Sequence, residues 1–407
     1  MNTDNGHFFR TETNLAEAEA RKRKAERTKH LGEPLDLPAK PLDVIIRGNE
    51  IWIGQSDATI RRIDLESAST LQVYKGHTAP VASIALLEES NSSNNTELLL
   101  ISGSWDKTVK IWNTKNKSII SSTEAHSDFV KCIVSIPELK MLITSGSDKV
   151  VRFWDLSNPL SQGPLKNIGL VSAHSRPVHC IAADVQSPTA ATLYTADTMG
   201  IVKIWEIERS YGDSPNCRAT QKEELVAHRT GINDMWFGQD QLWTASSDDT
   251  VLLTQRPPSG TVVQQASPRP VPPISHPAPV KALLPLSLTD LGESLLLTGA
   301  GDAIRLYDIN EPSSPELLST TDAHWFDVVS LRLWFRRKTT EHGKLSIEPW
   351  IVSASLDQTI RKWKLADLIS PPKEPPEPVP KHEAKPASTS QLTAEEEAEL
   401  AELMDND

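Results

Sequence analysis

The chain has 407 residues, with 42 Lys and Arg against 54 Asp and Glu, a net charge of −12 and a hydrophobic fraction of 38%. So acidic a chain is a poor ligand for phosphate backbones, which argues against direct recognition of nucleic acid. Cys132, Cys180 and Cys217 are dispersed without paired spacing, so neither a disulfide framework nor a zinc site is expected. No apolar run approaches the roughly 18 residues of a membrane span. The start, Met-Asn-Thr-Asp-Asn-Gly-His, lacks the charged-then-apolar pattern of a secretion signal.

Residues 1–30 are expected to form a charged helical arm. From Glu12 to Lys29, Ala, Glu, Arg and Lys dominate, and no Gly or Pro intervenes before Gly32 and Pro34. Leu15 and scattered alanines are too thin to make a buried stripe. The arm is either a solvated, charge-laced helix or, through Arg21-Lys-Arg-Lys24 with Arg27 and Lys29, an import or electrostatic docking segment.

Residues 31–369 carry a repeat. His77, His126, His174, His228, His276 and His324 follow one another at intervals of 49, 48, 54, 48 and 48 residues. In the clearest units a hydroxyl residue, a turn acid and an aromatic follow: Ser102, Asp106 and Trp112; Thr144, Asp148 and Trp154; Ser353, Asp357 and Trp363. The acid precedes the aromatic by six residues each time. Between these marks lie short apolar runs such as Val81–Leu87, Leu98–Ser102 and Val109–Trp112, broken by turn residues, which predict strands. A further unit, Ile51–Asp57 running on to Ile63-Asp64, keeps the six-residue offset without a preceding His.

A fixed period of about 40 to 50 residues, opened by His and closed by Trp-Asp, marks four-stranded propeller blades. The chain resembles the WD40 repeat family through Gly76-His77 with Trp112-Asn113, Ala125-His126 with Trp154-Asp155, Ala173-His174 with Trp205-Glu206, and Ala323-His324 with Trp363-Lys364. Ala227-His228 with Thr254-Gln255 and Ser275-His276 with Tyr307-Asp308 are weaker copies. The resemblance implies an all-β, seven-bladed propeller over residues 31–369. Trp363 ends a third strand with no fourth after it, so the segment Leu31 to Leu37 is expected to close the ring.

The same resemblance implies that the recurring side chains are structural. His77, Ser102, Asp106 and Trp112, then His126, Thr144, Asp148 and Trp154, then His324, Ser353, Asp357 and Trp363, would form hydrogen-bonded relays from turn acid to indole. A hydrolase built on such a set is discounted, because four copies of a triad are not what one enzyme needs. Three departures stand out: Thr254 in the aromatic position, Met199 in the turn-acid position with Asp197 two residues earlier, and Asp302 only five residues before Tyr307. No Gly-rich phosphate loop or His-Glu-x-x-His occurs, so no catalytic residue, cofactor or metal is expected.

In the resembled family one face displays the residues just before the turn acid and just after the His. Transferred to this chain, the expected partner-binding set is Trp105, Phe129, Arg176, Arg229, Trp325, Phe326 and Leu356. Aromatics and Arg often contribute ~2 kcal/mol or more apiece at interfaces. Trp325 and Phe326 have an alternative, packing under a loop spanning Arg336 to Ser346. Insertions at Asn91 to Thr96, Ser210 to Lys222, Pro257 to Pro279 and Arg336 to Ser346 are expected between strands, the third of them Pro-rich.

Residues 370–407 divide into a Pro- and charge-rich linker and, after Thr393-Ala-Glu-Glu396, a short acidic helix with Leu400, Leu403 and Met404 on one edge. It is either a tethered docking peptide or plain disorder. The whole is expected to be a non-catalytic scaffold or adaptor in the cytoplasm or nucleus, binding protein partners in a multi-subunit complex. One alternative is a ubiquitin-ligase substrate receptor, although the Trp-Asp-x-x-Arg ending is absent. The other is a propeller enzyme resembling the diphthamide-pathway esterase.

Overall fold

A computed structural model describes residues 12–90, 96–172, 174–212, 214–255, 271–339 and 345–370. All of them belong to one compact unit, residues 1–371. The acidic C-terminal segment, and most of the Pro-rich stretch after Arg256, lie outside the described residues.

Seven four-stranded antiparallel sheets follow one another as blades: blade 1 over 41–75, blade 2 over 81–124, blade 3 over 130–171, blade 4 over 178–226, blade 5 over 232–275, blade 6 over 280–322, and blade 7 from 328–364 with a fourth strand from elsewhere. In the first six, strand order in space is strand order in sequence. Second strands are buried at nearly every position, as in Met141–Gly146, because a neighbouring blade covers each face. That is why these runs are continuously apolar or small rather than alternating.

The core is divided accordingly. Among the described residues the buried apolar side chains fall into seven clusters, each straddling one blade-to-blade junction. Trp52, Tyr74, Leu100 and Trp112 join blades 1 and 2; Phe153, Leu193 and Trp205 join blades 3 and 4.

The fourth strand of blade 7 is Leu35–Asp36, which pairs antiparallel with Ile360 and Thr359. It lies within the segment that the missing strand pointed to. The seam with blade 1 is reinforced by Arg332 Nε donating to the Val44 carbonyl (2.8 Å), Lys362 Nζ to the Leu65 carbonyl (2.9 Å), and Arg336 forking onto Glu66.

Ahead of the closing strand runs a helix, α1 (Glu12–Thr28). Arg361 donates to the carbonyls of Thr28 and Leu31, so a buried cation meets the helix C-terminus where the macrodipole favours it. Gly32 then turns the chain at φ +67°, and a Cβ there would sit 2.5 Å from the Trp363 ring, so both conformation and space demand glycine. A second helix, α2 (Leu365–Ile369), drops Leu365 and Leu368 into the slab between blades 6 and 7.

Two expected insertions are largely strand. Ile201–Ser210 pairs with Asn216–Val226, and Val328–Thr339 with Leu345–Ser355. Toward their outer ends the exposed positions are charged, at Arg218, Lys222, Arg337 and Lys338, so the strand signal fades. The described part of the second hairpin also lies at the far end of its strand from Trp325 and Phe326 and does not cover them.

Candidate functional site

The repeated polar residues meet inside the blades. In blade 2 the Trp112 indole N–H donates to Ser102 Oγ (2.8 Å), which leaves the hydroxyl proton for His77 Nε2 (2.8 Å); Nδ1 therefore carries the proton shared with Asp106 (2.7 Å). Blade 3 repeats the set with Trp154, Thr144, His126 and Asp148 at 2.8–2.9 Å, and blade 7 with Trp363, Ser353, His324 and Asp357 at the same distances. Burial alone would lift the Asp106 and Asp148 carboxyls, but hydrogen bonds from His77 and Thr108, and from His126 and Arg152, outweigh it and hold both below the usual carboxylate range.

The departures resolve into three arrangements. In blade 4, Asp197 takes the acid's place at 3.2 Å from His174, while its other oxygen accepts the Met199 and Ile201 N–H groups. In blade 5, His228 still reaches Thr244 (2.9 Å) and Asp248 (3.3 Å), but Thr254 cannot close the chain as an indole would. In blade 6 the turn between second and third strands is shortened, with Ala300 paired directly to Ala303 across Gly301 at φ +58°. Asp302 consequently does not cap His276, whose Nδ1 instead donates to the Ile274 carbonyl (3.2 Å) while Nε2 meets Thr298 (3.0 Å). Burial, aided by the Arg305 cation, pushes His276 down to about 4.

Backbone bonds zip the loops into one surface, here the upper face. In every blade an N–H of the turn after the second strand donates to a carbonyl just ahead of the first strand, from Ser56 to Lys40 (3.0 Å), through Trp105 to Pro80 (2.9 Å) and Ser147 to Phe129 (2.8 Å), to Leu356 with Asp327 (3.0 Å). On this face Phe129 (41% exposed), Arg176 and Arg229 are open to solvent, whereas Trp105, Trp325, Phe326 and Leu356 are half-buried. Trp105 stacks on Phe129 (centroids 5.4 Å apart) with the Lys131 ammonium 5.1 Å over its ring. Phe326 lies beneath Arg21 of α1 (5.3 Å) and beside Lys40 (5.8 Å), so it belongs to a covered sector.

A further ring was not foreseen. The first strand of every blade carries a β-bulge, whose extra residue is in turn Leu42, Ala82, Lys131, His179, Asn233, Lys281 and Val329. These residues line an axial cavity of about 370 Å³ together with Asp43, Asp234 and Arg332. The next residue along staples one blade to the following one: Asp43 accepts the Ile84 N–H (2.8 Å), Ser83 that of Ile133 (3.2 Å) and Asp234 that of Leu283 (2.8 Å). The signal was present as a sevenfold apolar-x-small pattern from Pro41-Leu-Asp43 to Val328-Val-Ser330, visible only once all seven units are aligned. Cys132 also faces the cavity, with burial pushing its thiol up to about 12, which leaves no thiolate for nucleophilic work.

Among the described residues no group of three or more His, Cys, Asp or Glu is arranged to hold a metal ion, and no helix is long and apolar enough to cross a membrane.

Comparison with known proteins agrees with this geometry. The family model for the WD domain, G-beta repeat, matches residues 68–113 and 117–155, which cover the end of blade 1, blade 2 and most of blade 3. An uncharacterized WD repeat-containing protein of Schizosaccharomyces pombe is 26% identical over the full length of both chains. A ribosome biogenesis protein WDR12 homolog of Aedes aegypti is 26% identical over 74% of this chain and 69% of its own length. A WD repeat domain-containing protein 83 homolog of Dictyostelium discoideum is 34% identical over 25% of this chain and 30% of its own. The chain thus carries WD40 repeats and folds as a seven-bladed β-propeller.

Proposed function

We propose that this protein is a non-catalytic scaffold that presents its upper face to protein partners within a multi-subunit assembly, in the cytoplasm or nucleus. The observation that carries this reading is the zipped loop surface, on which Trp105, Phe129, Arg176 and Arg229 stand on a rigid ring. The relays support a structural rather than a chemical role. Each hydroxyl beside an imidazole in blades 2, 3, 4 and 7 already accepts an indole N–H and is buried within its blade, so no substrate carbonyl reaches it. The relative named for ribosome biogenesis, aligned over most of the ring, supports a place in assembly machinery. Residues 1–30 and 370–407 are read as appendages to a ring at 31–369, the second as a tethered contact that raises effective concentration.

The test is affinity capture with the full chain carrying Trp105→Ala and Trp325→Ala. Loss of co-purifying proteins with an unchanged melting temperature is expected. Unchanged capture overturns the assignment of this face, and so does collapse of the ring.

A further inference from the structure

Helix α1 is seated on the upper face where blades 6 and 7 meet, and ions hold it there. Lys24 Nζ lies 2.7 Å from Asp302 and 3.0 Å from Asp322, Arg27 pairs with Asp322, and Arg21 rests over the Phe326 ring. Asp302 and Asp322 keep 39% and 46% of their side-chain surface exposed, and Arg27 59%. Ala16, Ala18 and Ala20 face solvent, so little apolar surface seals the contact. Exposed ion pairs of this kind contribute little individually and weaken with salt. Attachment at its end, through Arg361 and Gly32, confines the helix near its seat, so that these weak ion pairs suffice to hold it there.

Blade 6 is built for this. In blades 2, 3, 4, 5 and 7 an acid of this turn is spent on the blade's own histidine, and in blade 1, which has no such histidine, Asp57 caps its own turn through Thr59; in blade 6 the shortened turn leaves its acid, Asp302, facing outward to meet Lys24. We propose that Asp302, Asp322 and Phe326 form a docking site for a basic helical segment of a protein partner, and that α1 fills this site in cis as a competitor the partner must displace. The seated helix defines the ligand's chemistry: two cations one helical turn apart for the carboxylates, and a third for the aromatic ring. Charge favours such a guest, since the chain as a whole is at −12. Engagement of the open half of the face, at Phe129, Arg176 and Arg229, is then joined to eviction of α1 from the other half.

The probe is a labelled synthetic peptide of residues 12–29, added to the full-length chain and followed by fluorescence anisotropy. The wild-type chain, with its site filled, is expected to bind it at least about tenfold more weakly than a full-length Lys24→Glu, Arg27→Glu variant. In that variant the α1 amides should lose hydrogen-exchange protection while the blades keep theirs. Adding Asp302→Lys and Asp322→Lys should abolish peptide binding, and raising salt from 50 to 500 mM should weaken it by about tenfold or more. Equal binding to wild type and variant overturns the proposal, as does no binding to a variant whose α1 has become unprotected. Retained protection of α1 in the variant also overturns it, because the ions would then not be what holds the helix. Dimerisation of the wild-type chain that Lys24→Glu, Arg27→Glu abolishes would give the site to α1 of a second copy and sink the partner assignment.

Discussion

Blades 2 and 6 show two uses of the same carboxylate. In blade 2, Asp106 is half-buried under its own loop and accepts from His77, Thr78 and Thr108, so the turn, the loop after the previous blade and the third strand are locked together. In blade 6 a turn shortened around Gly301 carries Asp302 away from His276 and into contact with α1. A carboxylate can rigidify its blade or meet an outside cation, and the length of one turn decides which. Blade 2 gains a satisfied buried network; blade 6 keeps a histidine held by neutral partners alone, Ile274 and Thr298.

Three measurements break or sharpen the contrast, in falling order of effect. The largest separates His77→Ala from His276→Ala in urea unfolding. The first takes the imidazole from between Ser102 and a half-buried Asp106 that keeps only Thr78 and Thr108, and should cost about 3 kcal/mol; the second removes two bonds to neutral groups, a carbonyl and a hydroxyl, and should cost about 1 kcal/mol. Equal losses would mean that the carboxylate adds nothing to the relay.

The next concerns pH. His276 is neutral in the fold at about 4 against an ordinary value of 6.5, so its contribution is present above 6.5 and is lost as pH falls toward 4. From pH 7 to pH 5 that amounts to about 2 kcal/mol. The wild-type chain should therefore lose more stability over this interval than His276→Asn, and parallel pH profiles would refute the assignment. His174, His228 and His324 are also lowered by burial, so the difference between the two proteins, not the absolute slope, is the readout.

The smallest effect compares Asp302→Asn with Asp106→Asn. The first should change ring stability by less than about 0.5 kcal/mol while speeding proteolysis within α1. The second should destabilise the ring measurably and leave α1 untouched. A destabilised ring in the Asp302 variant would place that acid in the core network after all.

Much of this was legible in the sequence because a propeller repeats its grammar. The histidine period, the six-residue offset to the aromatic and the missing last strand together specified seven blades and a closing segment near Leu35. The residues of the relays could be named because the resemblance to WD40 repeats implied their roles and the repeated spacing showed where they fall. What escaped notice was whatever depends on contacts between distant parts. Nothing local in Arg21 to Arg27 says that its cations meet Asp302 and Asp322, almost 300 positions away. Phe326 carries the signs of an exposed anchor and is covered by a helix whose apolar content gave no reason to dock. The long hairpins were expected as loops because their solvent-facing residues, such as Arg218, Lys222, Arg337 and Lys338, are charged, which masks the alternation of a strand.

The closing strand carries a consequence for synthesis. Leu35 and Asp36 leave the ribosome early, yet their partners, Ile360 and Thr359, are among the last residues of the ring to be translated. Throughout elongation the nascent chain therefore holds an open arc with two raw ends, one at blade 1 and one at the newest blade. Translation that stops short of Thr359 yields an arc that cannot close, a natural substrate for chaperones and quality control.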